Sequence, residues 1–280
     1  MQASTTAHER VDLAAVKARQ RLVWASGDYG AVAARIQLIA ERLADAADLD
    51  AGSRVLDVAT GTGNAAIAAA RGDCEVVGVD YVPELLERAR LRADAERLEV
   101  DFREGDAEAL PFGDDAFDAV LSSVGVMFAP DQERAAGELV RVCRPGGTIA
   151  LASWTPDGFI GEMLRTVSRH VPPPAGMRTP VEWGTQARLE ELFDGAAAEL
   201  TAERRTFTFR YRSPEHFVDF FRSHYGPTLK AFDALDTRGR EGLAGDLAAL
   251  VRRFDGGGGS AVSIRSDYLE AVVVLDGTAG

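Results

Sequence analysis

Residues 54–80 read RVLDVATGTGNAAIAAARGDCEVVGVD: a short apolar run, a Gly-Thr-Gly turn, an alanine-rich stretch, and a second apolar run closing on an aspartate. A Val- and Leu-rich run bounded by turn residues reads as a strand buried on both faces. Alanine propagates helix well, so the middle of the unit is helical. Two strands joined through a helix lie parallel in one sheet, and the crossover is right-handed. This one unit excludes an all-helical or an all-antiparallel centre for the chain.

The alternation continues. RVLDVA is a strand, 64–71 a helix, EVVGVD a strand and VPELLERARLRADAE a helix. LEVDFREGD and FDAVLSSVGV are the third and fourth strands, 131–143 is a helix, and GTIALASW is the fifth strand. The repeated order predicts an α/β fold: a doubly wound, mostly parallel sheet with helices on both faces. Upstream, residues 1–10 read as a loose tail, and helical spacing runs from Val11 to Trp24 and from Tyr29 to Asp48. Val32, Ile36, Ile39, Leu43 and Ala47 share one stripe of the second helix. WASGDYG breaks the two. Downstream, a helix over 158–170 ends at VPPPAG, and a second covers 185–194. LTAERRTFTFRY alternates as a strand, and SPEHFVDFFRSHYGPTLKAF is helical with an aromatic stripe. Residues 240–254 lead into the flexible DGGGGS, and the last part of AVSIRSDYLEAVVVL is a strand.

Charge narrows the partners. With 44 acidic and 31 basic side chains in 280 residues, the net charge of −13 repels phosphate backbones and anionic lipid. Nucleic acid and membrane are therefore not expected partners. The two cysteines, Cys74 and Cys143, form neither a CxxC nor a Cys/His cluster, so they read as buried, reduced thiols. The amino terminus lacks an apolar core of signal-peptide type, and no stretch approaches a membrane span. The expectation is a soluble, cytoplasmic protein.

Gly61-Thr62-Gly63-Asn64-Ala65-Ala66 satisfies the G-x-G-x-x-A form of a dinucleotide fingerprint. The turn alone admits either a nicotinamide or flavin dinucleotide, hence an oxidoreductase, or S-adenosylmethionine. Charge around the turn separates them. Asp57 stands four residues before Gly61, at a strand's carboxyl end. An acid there opposes a pyrophosphate but suits a ligand carrying an ammonium and a sulfonium. Asp80, 17 residues past Gly63, is placed to accept from both ribose hydroxyls, a role common to the two ligand classes.

Further along, Asp106 follows the third strand, Leu110-Pro111-Phe112 makes a turn, and Phe117-Asp118 opens the fourth strand. Arg144-Pro145-Gly146-Gly147 enters the fifth. Together these stretches resemble the class I S-adenosylmethionine-dependent methyltransferases, near the branch that includes the ubiquinone and menaquinone C-methyltransferases and many small-molecule enzymes. The resemblance covers about residues 30–155. It implies a Rossmann-like, mostly parallel seven-stranded sheet with a helical N-terminal lid and C-terminal helical additions. Residues 1–50 would be tail and lid, 51–155 the cofactor core, and 156–280 the pocket helices and last strands completing the same sheet.

Carried over by position, Asp57, Gly61, Thr62 and Gly63 match the first motif, with Ala59 where many members have glycine. Asp80 matches the ribose-binding acid and Tyr81 borders the adenine; Asp106 and the Ala107 N–H match the adenine-binding pair. Ser122 and Ser123 match the strand end where main-chain carbonyls meet the methionine ammonium. Tyr29 belongs to the lid over the cofactor, and Trp24, Phe128 and Tyr225 to the acceptor pocket. The cofactor implied is S-adenosylmethionine, the product S-adenosylhomocysteine.

Methyl transfer mostly requires bringing the acceptor to about 3–3.5 Å, aligning it and excluding water. The fourth strand continues as Ser122-Ser123-Val124-Gly125, not as the Asn/Asp-Pro-Pro-Tyr of enzymes that methylate nucleobase or amide nitrogens. A hydroxyl or acidic carbon acceptor would profit from a general base. Of four histidines, His8 falls in the tail, His170 ends a helix and His216 sits in a first helical turn. His224, beside Tyr225 on the aromatic stripe, is the candidate base. No metal-ligand cluster stands out. The expected activity is transfer of a methyl to O, N or C of a small, partly apolar acceptor. A quinone-type C-methyltransferase and an NAD-dependent oxidoreductase remain the alternatives, and a homodimer is compatible with the sequence.

Overall fold

In the computed structural model, which describes residues 12–259 and 261–277, the apolar runs become the middle of one seven-stranded sheet. The tail assigned to 1–10, with His8, lies outside the described residues. In chain order the strands are β1 (Arg54–Val58), β2 (Glu75–Asp80), β3 (Val100–Glu104), β4 (Phe117–Ser123), β5 (Cys143–Trp154), β6 (Ala197–Tyr211) and β7 (Val262–Leu275). Side by side their order is β3-β2-β1-β4-β5-β7-β6. Strands β1 to β5 are parallel, and β7 inserts antiparallel between β5 and β6. The expected Rossmann-like, mostly parallel sheet is what forms. Its winding reverses between β1 and β4, and such a switch point leaves a crevice at the strands' carboxyl ends.

The helices are α1 (Leu13–Trp24), α2 (Tyr29–Ala33), α3 (Gln37–Ala46), α4 (Asn64–Ala70), α5 (Pro83–Glu96) and α6 (Gln132–Val142). After β5 come α7 (Phe159–His170), α8 (Gln186–Leu192), α9 (Pro214–His224), α10 (Gly226–Asp233) and α11 (Thr237–Phe254). Every residue of α4 is buried, which explains its alanines: small side chains let it fit between the sheet and α3. Val55, Leu56, Val120, Leu121 and Ile149 are fully buried in the central strands. Each such side chain stabilises by roughly 1.5–3 kcal/mol.

Three boundaries differ from the sequence expectation. The helix read over 29–48 is interrupted by a tighter 3₁₀ turn at Ala34–Ile36. The helix read over 213–232 breaks at Tyr225, because Pro227 has no N–H to continue it and instead starts α10. AVSIRSDYLEAVVVL is strand from Val262 onward, since β7 pairs with β6 along its whole length and with β5 over Tyr268–Val274.

This break is where the N-terminal helices dock. The Asp28 N–H donates to the His224 carbonyl at 3.0 Å, and Gly27 bridges Tyr225. A Cβ on Gly226 would lie 2.1 Å from the Val23 carbonyl oxygen, so only glycine allows this approach. The Arg88–Asp28 ion pair, Arg21–Glu104 at 2.7 Å and Lys17–Asp106 at 2.6 Å add ties to the sheet's edge. Gly226→Ala should therefore lift α1 from the α9–α10 junction. Overpacking of about 1–3 kcal/mol predicts roughly tenfold faster native-state tryptic cleavage within α1. An unchanged rate would mean the seam does not hold the helix.

Candidate active site

The glycine turn leaves β1 in a left-handed conformation, with φ of 56° at Gly61 and 83° at Gly63. Asp57 sits behind it. The carboxylate is 1% exposed, and its Oδ2 accepts from Thr60 Oγ1 at 2.6 Å and from the Ala66 N–H at 2.9 Å. It thereby caps the open amino end of α4. Burial pushes its pKa up to about 7 against those two hydrogen bonds. Asp57 does not line the cleft described below.

Thr62 and Gly63 do not line it either. Arg92 Nη1 donates to the Thr62 carbonyl at 2.5 Å and to Asn64 Oδ1 at 2.7 Å, holding the turn from outside. The space a Gly63 side chain would need is taken by the Phe102 ring at 3.1 Å. Ser122 Oγ donates to the Val58 carbonyl at 2.7 Å and accepts from the Val126 N–H at 2.9 Å. It straps β4 to β1. Neither Ser122 nor Ser123 lines the cleft.

The cleft itself, about 60 Å³, opens at the carboxyl ends of the central strands. Ala59, Gly61, Asp80, Tyr81, Asp106 and Ala107 line it from the sheet. Tyr29 and Trp24 close it from the N-terminal helices, with Phe128 beside them. Asp80 Oδ2 accepts from the Gly61 N–H and Oδ1 from the Val82 N–H, both at 2.9 Å. Burial pushes its pKa up to about 6 despite these bonds. Asp106 Oδ1 accepts from the Glu108 N–H at 2.9 Å, and its Oδ2 from Lys17 Nζ at 2.6 Å. Arg141 fixes the following turn by donating to the Phe112 and Leu110 carbonyls at 2.8 and 3.1 Å.

Several lining residues escape a strand-end reading of the sequence. Lys17 pairs with both Asp106 and the buried Glu108, and Gln20 donates to the Phe128 carbonyl at 3.3 Å. The Gln20 Oε1 is buried without a partner among the described residues. Lys17, Gln20 and Trp24 follow each other by three and four positions, so one face of α1 looks into the cleft. That spacing was the available signal.

A second, small cavity of about 20 Å³ adjoins the cleft and shares Trp24, Tyr29, Val124 and Phe128 with it. Trp24 meets the rings of Phe128, Tyr29 and Tyr225 edge-on, with centroids 4.9, 5.6 and 5.6 Å away. Tyr225 lines this cavity. His224 lines neither. Its ring stacks on Phe220, and Nδ1 lies 2.9 Å from the Phe220 carbonyl, one helical turn back. His170 pairs with Asp246 at 2.8 Å, and His216 Nδ1 accepts from the Arg212 N–H at 3.2 Å.

The donor set fits S-adenosylmethionine. Asp80, Asp106 and Glu108 face the cleft against one cation, Lys17, which two of them already hold. A pyrophosphate would meet an acidic wall; a cationic nucleoside meets acceptors. Among the described residues no His, Cys, Asp and Glu group is arranged for a metal, and no helix is long and apolar enough to cross a membrane.

Residues 56–151 match the family profile described as a methyltransferase domain. The chain is 42% identical over 263 residues to the uncharacterized protein Rv1405c of Mycobacterium tuberculosis, spanning 91% of this chain and 90% of that one. It is 40% identical over 161 residues to the demethylmenaquinone methyltransferase of Thermus thermophilus, spanning 56% of this chain and 73% of that enzyme. The fold is similar to the YcgJ protein of Bacillus subtilis, with a TM-score of 0.58 at 19% identity over 86% of this chain and 99% of that one.

Removing the Asp57 carboxylate leaves the Ala66 N–H unpaired in the interior. Asp57→Ala should therefore lower unfolding stability by about 1–3 kcal/mol in urea titration. S-adenosylhomocysteine affinity of the folded variant should stay within about threefold of wild type, under 1 kcal/mol. A large loss of affinity at unchanged stability would restore Asp57 as a ligand contact.

Proposed function

The chain belongs to the class I S-adenosylmethionine-dependent methyltransferases, and from that premise we propose that it methylates O, N or C of a small organic acceptor. One observation carries the reading. The cleft holding Asp80, Asp106 and the glycine turn shares an aromatic wall with an apolar cavity, so donor and acceptor compartments touch.

The bound cofactor supplies a methyl on a sulfonium whose leaving group is neutral. Asp80, its carboxylate already oriented by Gly61 and Val82, accepts from the ribose hydroxyls. Asp106 and the Ala107 N–H read the adenine edge, and Tyr81 borders the ring. Trp24, Tyr29 and Phe128 exclude water where the compartments meet. Burial raises the pKa of Tyr29 and Tyr225 above the ordinary tyrosine value, so both keep their protons and act as donors rather than bases. With His224 turned away, the acceptor has to bring its own nucleophilic lone pair or carbanion.

A quinone-type C-methylation is the second reading. It is supported by the demethylmenaquinone methyltransferases of Thermus thermophilus and Deinococcus radiodurans, each 40% identical over its matched part.

Calorimetric titration with S-adenosylhomocysteine and with NAD tests the assignment: the first should bind and the second should not, and binding of NAD alone would overturn it. Asp80→Ala should weaken S-adenosylhomocysteine by about 10- to 100-fold, the loss of charge-assisted bonds worth about 1.5–3 kcal/mol. The pH dependence has a definite sign. Ligand hydroxyls favour ionised Asp80, whose free-state pKa is about 6, so affinity should fall as pH drops below about 6. The limiting slope is about tenfold per pH unit. An Asp80→Asn variant should show a flatter profile over the same range.

A further inference from the structure

Lys17 holds two carboxylates of the cleft at once. Its Nζ donates to Asp106 Oδ2 at 2.6 Å and lies 2.8 Å from Glu108 Oε2. The two partners are unlike: the Asp106 side chain is 37% exposed and that of Glu108 only 3%. The other Glu108 oxygen accepts from the Asp131 N–H at 2.8 Å, so the N-cap residue of α6 fixes this carboxylate in place. Asp106 Oδ1 is taken by the Glu108 N–H at 2.9 Å. The oxygen free of backbone is Oδ2, the one an adenine amino group would use, and Lys17 sits on it.

The wall that carries Lys17 is weakly anchored. No described residue of α1 is buried, whereas the Val126–Phe128 turn of the same lining buries Val126 and Met127, and α2 buries Val32 and Ala33. Trp24 and the Gly27 seam fasten the carboxyl end of α1. Its amino half is fastened by charge, through Lys17 and through Arg21 on Glu104. The Arg21 pair is exposed on both sides and contributes little. With α1 in this position the cleft encloses about 60 Å³. Sites that take a small molecule enclose roughly 300–1,000 Å³. A nucleoside therefore enters only if a wall moves, and α1 is the wall with the least to lose.

Resting on the methyltransferase reading, we propose that Lys17 is a gating residue, an ionic latch that holds α1 over the cleft and sets the rate of cofactor entry. For entry α1 swings about the Gly27 seam and Lys17 leaves both carboxylates. The adenine amino group then takes Asp106 Oδ2, and Lys17 returns to Glu108 alone. While α1 is raised, the buried Glu108 has lost its cation, so the open form is sparsely populated and entry is slow. Salt screens the pair and raises that population.

The association rate of S-adenosylhomocysteine with the full chain tests the latch, read in stopped flow by tryptophan fluorescence because Trp24 is in the cleft wall. The ligand's ammonium and carboxylate cancel, so salt has little effect on its encounter with a chain of net charge −13. Between about 10 mM and about 1 M NaCl the screening length falls from about 30 Å to about 3 Å, and the wild-type rate should rise about threefold or more. Lys17→Met should associate about fivefold or more faster at low salt and lose most of the salt dependence. Lys17→Arg, which keeps the charge, should stay near wild type. A salt-independent wild-type rate, a Lys17→Met rate no faster than wild type, or a Lys17→Arg rate equal to that of Lys17→Met overturns the proposal. A lysine that only braced the fold would raise the dissociation rate and leave association unchanged. If Lys17→Met does not hold its fold, Glu108→Gln removes the charge from the other side and should show the same acceleration. Failure of wild type to bind S-adenosylhomocysteine would instead sink the cofactor reading. Hydrogen exchange of the α1 amides then reads the latch alone: it should quicken with salt, and a constant rate overturns the latch.

Discussion

Two buried carboxylates at adjacent strand ends grip the glycine turn from opposite sides. Asp57 holds it from behind through Thr60 and the Ala66 N–H, and Asp80 from the front through the Gly61 N–H. Each is nearly inaccessible, and each is raised above the ordinary carboxylate range first of all by burial. Their charges also oppose each other, which adds to the rise at Asp57. Desolvation would be prohibitive without backbone donors, and the turn supplies them. The arrangement is therefore reciprocal: the turn keeps its left-handed glycines because the acids fix its N–H groups, and the acids stay ionisable because the turn is there. Because both pKa values lie above that of an unfolded aspartate, the folded chain binds more protons between about pH 4 and 7. These two groups alone make it more stable as pH falls through that window.

This division of labour marks what the sequence could and could not say. A parallel sheet puts strand carboxyl ends on one edge, so Asp80 and Asp106 were legible as cleft residues from the βαβ rhythm alone. Which way a residue near that edge points was not legible. Asp57 shares an edge with Asp80, yet its side chain turns into the interior to meet the start of α4. Ser122 similarly turns inward to the Val58 carbonyl. The reading of 213–232 as one helix missed the break at Tyr225. The break at Tyr225 sends Tyr225 into the cavity and leaves His224 stacked on Phe220. Lys17 and Gln20 went unread because α1 carries little apolar patterning to orient it; the tie that orients it is ionic, to Asp106 and Glu108.

The same contact couples the lid to the cofactor end of the cleft. Lys17 retains its proton because hydrogen bonds to Asp106 and Glu108 outweigh the burial that opposes it. Asp106 is thus held by a backbone N–H on one oxygen and an ammonium on the other, and any ligand group reading that carboxylate shares it with α1. Trp24, two turns further along the helix, lines both the cleft and the adjoining small cavity. One helix therefore touches both compartments, and its position is set by charge at one end and by aromatic packing at the other.

Strain concentrates where those compartments meet. Ala59 and Val124, with φ of +53° and +57°, face each other across the end of β1 and β4. A Cβ on the intervening Gly125 would come within 2.4 Å of the Ala59 carbonyl oxygen, so the two loops are in contact. Left-handed backbone costs an L residue about 1–2 kcal/mol, and glycine at either position would relieve it.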